Sequence, residues 1–338
     1  MKNIAIAGNI IVDNIKMINT YPSKQSLAVI EEFSSSLGGQ VNNLSIDLAR
    51  LDSNLEIFAK GVIGEDANGE QILKILGEYK NINTSQIVRK GITSFCDVMT
   101  DSTTKQRTFF TYAGADSSLD VKDFDFNELK ALNVSHLHVG YILLLEMLDS
   151  YDEEYGTRLA RVLHEAQKNN ITTSVDVVSL ANGNYKKLVP PSLKYSDYCI
   201  INETEAQQVT GIALRDENDK LIVQNTTKVL MTLKEMGVKK WVVIHSPEAS
   251  FGVDENDNVL FKNSLQLPKG YIKGSVGAGD AFCAGALYIA LKGGDLDQAL
   301  DSATATAASS LSEAGSYSGV KSYEEVIKLI DMYPRQTL

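Results

Sequence analysis

The sequence predicts an α/β protein: a three-layer α/β/α sandwich around a mostly parallel central sheet, with a small β lid beside it. Three observations carry that prediction. Short apolar runs alternate with stretches of helical periodicity along most of the 338 residues, as strands joined by crossover helices do. Two early segments break this rhythm with Thr, Phe, Tyr and Val in partial alternation, the mark of antiparallel strands outside the main sheet. No repeat, low-complexity tract or linker divides the chain, so a single domain over 1–338 is expected.

"NIAIAGNIIVD" opens the chain and reads as a buried strand. Asn9 and Asp13 interrupt the apolar run and no small-residue cleavage site follows, which disfavours a signal peptide. "KQSLAVIEEFSSSLGG" reads as lid, over about 14–37. "VNNLSIDLARL" is an amphipathic helix with Val41, Leu44, Leu48 and Leu51 on its apolar stripe. "LEIFAKGVIG" is a strand, and "TSFCDVMTDSTTKQRTFFTYAGAD" supplies the rest of the lid, over about 92–113. "VSHLHVGYI", "TTSVDVV", "DYCIIN" and "KKWVVIH" read as further strands. Among the helices, "YGTRLARVLHEAQKNN" places Leu159, Val162, Leu163 and Ala166 at helical spacing, and "TTKVLMTLKEMG" is another. Excursions of this kind early in an α/β chain form flaps over a site.

Composition excludes several classes. With 32 basic and 43 acidic residues the chain carries a formal charge of −11, the wrong sign for a nucleic-acid surface. No run approaches 18 uncharged apolar residues, so no membrane span is expected. Cys96, Cys199 and Cys283 form no CxxC pair and no zinc spacing with histidine, and so sparse a count suits a reducing cytoplasm. His136 and His138 share one strand face, expected near its end; His164 lies on a helix and is expected to be exposed. All three read as structural.

One motif carries chemistry. In "KGSVGAGDAFCAGALYIAL", residues 273–291, Gly274, Gly277 and Gly279 precede a helix and Asp280 sits at its start. Glycines there let backbone approach a ligand, and a helix N-terminus offers unpaired N–H groups and partial positive charge. An acid would repel a phosphate that is merely bound. It makes sense as a base accepting a hydroxyl proton during phosphoryl transfer. A plain reading as an N-cap or first-turn acid competes. The spacing matches neither GxGxxG nor GxxxxGK[ST].

"GAGDAFCAGAL" resembles the C-terminal signature of the PfkB (ribokinase-like) family of carbohydrate kinases. "LGGQVNNLSIDLARLDSNLEIFAKGVIGEDANGE" resembles its N-terminal signature, "GNIIVD" its first strand, and "INETEAQQVTG" its N-x-x-E motif. The resemblance implies the ribokinase-like fold and an ATP-dependent sugar kinase using Mg²⁺. Under it, Asp280 is the catalytic base, and Gly277, Ala278 and Gly279 form the anion hole. Asp13 and Asn43 bind sugar hydroxyls, and Gly38 and Gly39 let the chain pass close to the sugar. Asn202 and Glu205 help place Mg²⁺ and the phosphates, Glu205 through water. Thr304 borders the adenine. Arg107, Tyr112 and Ala115, in the stretch that closes over the sugar in fructokinase-like members, are expected site neighbours. The lid could also serve as a homodimer contact.

Each position also has a plain account. Asp13 could end a strand and cap a turn. Asn43 could be a solvated residue in the first turn of its helix. Asn202 and Glu205 fit a capping box.

The sequence departs from the family pattern in three places. Where relatives have T-x-G-x-x-G it has "IHSPEASFG", with His245, Pro247 and Ser250 at the pattern positions. Proline removes an N–H from that loop, so ATP cannot be held there in the usual way. Gly274 stands where relatives carry an aspartate that helps bind a monovalent cation, which leaves that cation open here. Gln40 follows the glycine pair where some relatives carry lysine. The lid lacks a basic pattern for a sugar acid, so a neutral sugar is expected. Two alternatives stand beside the sugar kinase: a nucleoside kinase of the same fold, and a sugar-binding regulatory protein with impaired catalysis.

Overall fold

The computed structural model describes residues 3–104 and 106–337. Fifteen strands occur among them: β1 (Asn3–Ala7), β2 (Ile11–Ile18), β3 (Ile30–Gly38), β4 (Ile57–Ile63), β5 (Ile82–Arg89), β6 (Phe95–Asp101), β7 (Arg107–Tyr112), β8 (Val134–Ile142), the two-residue strands β9 (Tyr151–Asp152) and β10 (Gly156–Thr157), β11 (Thr172–Val177), β12 (Tyr198–Asn202), β13 (Trp241–His245), β14 (Ala249–Val253) and β15 (Val259–Asn263).

Nine of them form the central sheet in the order β15-β14-β13-β12-β11-β8-β1-β4-β5. Pairing from β5 across to β13 is parallel, and β14 and β15 add an antiparallel edge. Strand β1 shows why the sheet is covered twice. Ile4 and Ile6 enter one core with the helices Gln40–Leu51, Ala278–Lys292 and Leu296–Ser310. Ala5 and Ala7, pointing the other way, enter a second core with the helices Arg158–Lys168, Glu203–Thr210 and Val223–Glu235.

"NIAIAGNIIVD" is two strands rather than one. Gly8 sits at φ 141° between them, and a Cβ there would lie 2.8 Å from the Gly140 carbonyl oxygen. The chain turns, and β2 joins a second, four-stranded sheet of order β3-β2-β6-β7. The pairs β2/β3 and β6/β7 are antiparallel, but β2 and β6 run parallel. The reason is topological: β2 follows β1 and β6 follows β5, two parallel strands that deliver the chain from the same end of the main sheet. Asp13 therefore lies inside a strand, paired with Ser36 and Cys96, instead of ending one. Lys105, between β6 and β7, is outside the described residues.

The Gln40–Leu51 helix is buried almost all round, between the sheet and the Ala278–Lys292 helix. Asn43 is thus a buried residue and not a solvated one. Both strand histidines are buried: His136 lies near the start of β8, as expected, but His138 is mid-strand; His164 is half-buried against the rings of Tyr155 and Tyr195.

Candidate active site

Parallel strands leave their carboxyl ends open at one edge of the sheet, where α/β proteins bind ligands. Here Tyr141 of β8, Asp176 of β11, Asn202 of β12 and His245 of β13 meet Gly277, Gly279 and Asp280 around a cavity of about 180 Å³. A larger cavity of about 610 Å³ adjoins it, sharing Asn202, His245 and Gly279, and continues to Pro247, Phe282, Thr304 and Ala308.

Gly277 caps the helix in the left-handed region at φ 79°, and a Cβ there would fall 2.0 Å from the Ser316 carbonyl oxygen. Only glycine allows that turn. Ala278 and Gly279 open the helix, with Asp280 in its first turn. The Asp280 carboxylate accepts from Asn43 Nδ2 at 2.9 Å and from the Tyr141 hydroxyl at 3.0 and 3.1 Å. Burial, and then the charge of Asp176, push its pKa up to about 7, against the pull of those two donors. A carboxyl group half-ionised near neutrality can both take and hold a proton.

Asn202 and Glu205 do form the capping box: Asn202 Oδ1 accepts from the Glu205 N–H, and Glu205 Oε2 from the Asn202 N–H. The same glutamate lines the smaller cavity. Its other oxygen accepts from Ser179 Oγ and Asn202 Nδ2, and burial raises its pKa to about 8. A buried acid so short of positive charge, with both oxygens already engaged, suits a hard cation held through water.

His245 packs against Phe282 with ring centroids 4.6 Å apart and the planes tilted by 31°, and burial lowers its pKa to about 4, so the ring is neutral. The loop after it spends its donors on itself. The Ser246 N–H bonds the Ala249 carbonyl, and the Glu248 and Ala249 N–H groups bond Ser246 Oγ. Thr304 lies 3.4 Å from Ser250, oxygen to oxygen. At Gly274 a Cβ would meet the Ala314 backbone at 2.9 Å, so the space an aspartate needs is filled.

The remaining candidates lie where the lid meets the main sheet, or beyond it. Gly38 faces Asp13, whose Oδ2 would be 2.2 Å from an added Cβ, and burial raises the Asp13 pKa to about 6. Gly39 sits at φ 84°, against Asn9. Tyr112 stacks on Phe95 at the inner end of the lid. Arg107 is exposed at the outer end, paired with Thr100. Ala115 is buried and bonds the Ile92 carbonyl. Neither these last three nor Asp13, Gly38, Gly39 and Asn43 line either cavity; Asn43 reaches the site through Asp280.

The model of the pfkB family carbohydrate kinases matches residues 1–322. The chain belongs to that family. This pfkB kinase is 23% identical to the 2-dehydro-3-deoxygluconokinase of Escherichia coli over 78% of its own length and 83% of that protein's. It is 21% identical to the ribokinase of Haemophilus influenzae, over 98% of its own length and 99% of the relative's. It also matches a bifunctional ribokinase/ribose-5-phosphate isomerase A of Fructilactobacillus sanfranciscensis at 21% identity, spanning 56% of that longer protein. Among solved structures, Arabidopsis thaliana ribokinase complexed with ribose and ATP superposes with a TM-score of 0.79 at 19% identity, covering 97% of this chain and 99% of that one. The fold is ribokinase-like, and the protein is a sugar kinase, a phosphotransferase with an alcohol acceptor. No helix among the described residues is long and apolar enough to cross a membrane.

Sequence reasoning missed Tyr141 and Asp176, which line the smaller cavity. Tyr141 hides at the end of a strand run, at φ 61°, a conformation its sequence does not announce. Asp176 had a signal: a lone acid near the carboxyl end of the buried strand "TTSVDV".

Proposed function

We propose that this kinase transfers the γ-phosphoryl group of ATP to a hydroxyl of a small neutral sugar, with Asp280 as general base. The observation that carries the reading is the position of Asp280: a buried carboxyl with its pKa raised to about 7, in the first turn of a helix, lining the smaller cavity next to Gly279, which both cavities share. The 610 Å³ cavity is large enough for a nucleotide. Its floor of Phe282, Ala307, Ala308 and Leu311 offers apolar packing, with Thr304 beside it. That packing compensates for a loop whose amides are already spent.

Asp280 takes the proton of the acceptor hydroxyl as the oxygen attacks phosphorus. Of the expected anion hole of Gly277, Ala278 and Gly279, the Ala278 N–H is engaged by the Ser275 carbonyl at 3.3 Å; the first-turn amides of Gly279 and Asp280, with no intrahelical partner, would stabilise the developing charge. Mg²⁺, brought with ATP, supplies charge neutralisation at the phosphates, and Asn202 and Glu205 would orient its waters. Asp13 and Asn43 would engage sugar hydroxyls, the lid excluding water from the transfer. No Lys or Arg lines the 180 Å³ cavity among the described residues, and Asp176 and Asp280, which do, would repel a substrate carboxylate. This favours a neutral sugar over a sugar acid.

Asp280→Asn tests the reading. The variant is expected to bind ATP and sugar as before and to lose turnover by several orders of magnitude, followed as ADP release over a panel of sugars and nucleosides. An unchanged rate overturns the role of Asp280. Preferential turnover of a nucleoside replaces the sugar by that acceptor.

We further propose that the lid pairs two copies of the chain. Phe33, Phe109 and Phe110 are exposed on it, an apolar display that soluble monomers avoid.

A further inference from the structure

Below the catalytic cavity, three buried side chains converge from three elements. His138 comes from β8, Asp176 from β11, and Cys283 from the Ala278–Lys292 helix, one turn past Asp280. One ligand atom from each lies within 4.8 Å of the others. From this geometry we propose that His138, Asp176 and Cys283 form a binding site for a borderline-soft divalent ion of the Zn²⁺ class, distinct from the Mg²⁺ position beside Glu205.

Four features support it. His138 Nε2 and Asp176 Oδ2 are 3.5 Å apart. Two ligand atoms each about 2.1 Å from a tetrahedral zinc ion stand about 3.4 Å apart, so this edge is already at coordinating length. The imidazole is oriented as metal ligands are, because its far nitrogen Nδ1 is anchored 2.7 Å from Ser174 Oγ. With Gln40 Nε2 donating at 2.6 Å, Nε2 is the lone-pair nitrogen and points into the cluster.

Gln40 bridges two of the three ligands and stands where a fourth would. It is fully buried, and its Nε2 also donates to Asp176 Oδ2 at 2.8 Å, yet its Oε1 has no hydrogen-bond partner. A half-turn of the amide would put Oε1 where Nε2 stands, beside one nitrogen and one oxygen that are themselves acceptors. With an ion held between them, the turned amide would offer Oε1 as a fourth ligand. Finally, Asp176 and Cys283 line the 180 Å³ cavity, which gives an ion a route in. The thiolate and imidazole favour zinc over magnesium, which takes oxygen ligands. Binding forms the metal–sulfur bond and releases the thiol proton to solvent.

Equilibrium dialysis of the full chain against Zn²⁺ in excess Mg²⁺ tests the proposal, with Co²⁺ as a spectroscopic stand-in. One equivalent of Zn²⁺ is expected to stay bound, with a thiolate-to-cobalt charge-transfer band for Co²⁺. Cys283→Ser should remove the band and weaken Zn²⁺ binding at least a hundredfold, while Cys96→Ser, in the lid, keeps both. Native mass spectrometry of the unaltered chain reads the stoichiometry even if a variant fails to fold. Less than one equivalent, a Cys283→Ser chain that binds as before, or displacement of Zn²⁺ by Mg²⁺ overturns the site. None of these readouts involves turnover, so the site stands or falls apart from the role of Asp280.

Discussion

Tyr141→Phe removes one oxygen from the site and leaves the ring. In the wild type that hydroxyl donates to both oxygens of Asp280, at 3.0 and 3.1 Å. It favours the charged form, against burial and the charge of Asp176, which hold the pKa at about 7. A hydrogen bond to an ionised group contributes about 1.5–3 kcal/mol, and about 1.4 kcal/mol corresponds to one pKa unit. Loss of the hydroxyl should therefore raise the Asp280 pKa by about one to two units. As the proposed base, Asp280 acts when deprotonated, so the rising limb of kcat/KM against pH, which reports the free enzyme, should move from about 7 in the alkaline direction by that amount. The plateau above it should be retained. The assay is coupled ADP release across the neutral and alkaline range. A limb that stays at the wild-type position, or moves to lower pH, refutes either the base assignment or the role of Tyr141 in tuning it.

Gly277→Ala should cost far more stability than Gly270→Ala in thermal denaturation. Both glycines are left-handed, at φ 79° and 82°, but a Cβ meets Ser316 at 2.0 Å in the first and nothing within 4 Å in the second. Gly270→Ala should lose only the strain of about 1–2 kcal/mol, and equal losses would discount the contact. Asp47 is fully buried with neither carboxylate oxygen hydrogen-bonded, and burial and then the charge of Asp280 raise its pKa well above the usual value. Its contribution to stability is present below the unfolded value, about 4, and is lost as pH rises. Asp47→Asn should accordingly raise Tm at about pH 8 and change it little at about pH 4; a gain confined to acid would contradict this. Phe109→Asp in the lid should shift the sedimenting species from dimer to monomer, and a wild type that is already monomeric would dispose of lid pairing.

The Asn202–Glu205 pair shows how much of the site was legible. The capping-box spacing predicted the helix start, and the box is there, yet the same glutamate faces the cavity. A local rule and a place beside the cavity coincide, and neither excludes the other. The glycines at 277 and 279 were equally legible, because a tight turn into a helix restricts the residues that can make it. Lid strand β2 was not: its residues continue the pattern of β1, and only the turn at Gly8 against Gly140 sends it to another sheet. Arg107, chosen for its stretch of sequence, ends exposed at the far end of that lid.

The sequence alone determined what depends on neighbours in the chain: strand and helix alternation, the buried stripes, and the acid at the start of the Ala278–Lys292 helix. The tertiary structure decided what depends on residues far apart in the chain. Asn43 and Tyr141 reach Asp280 across separations of 237 and 139 residues. Cysteine and histidine spacing gave no hint of zinc, yet His138, Asp176 and Cys283 converge, because a parallel sheet lines up strand ends that lie far apart in the chain. Local periodicity carries no information about such meetings. Strand order and the direction of each crossover settle them, and with them the surroundings that raise the pKa of Asp280 to about 7.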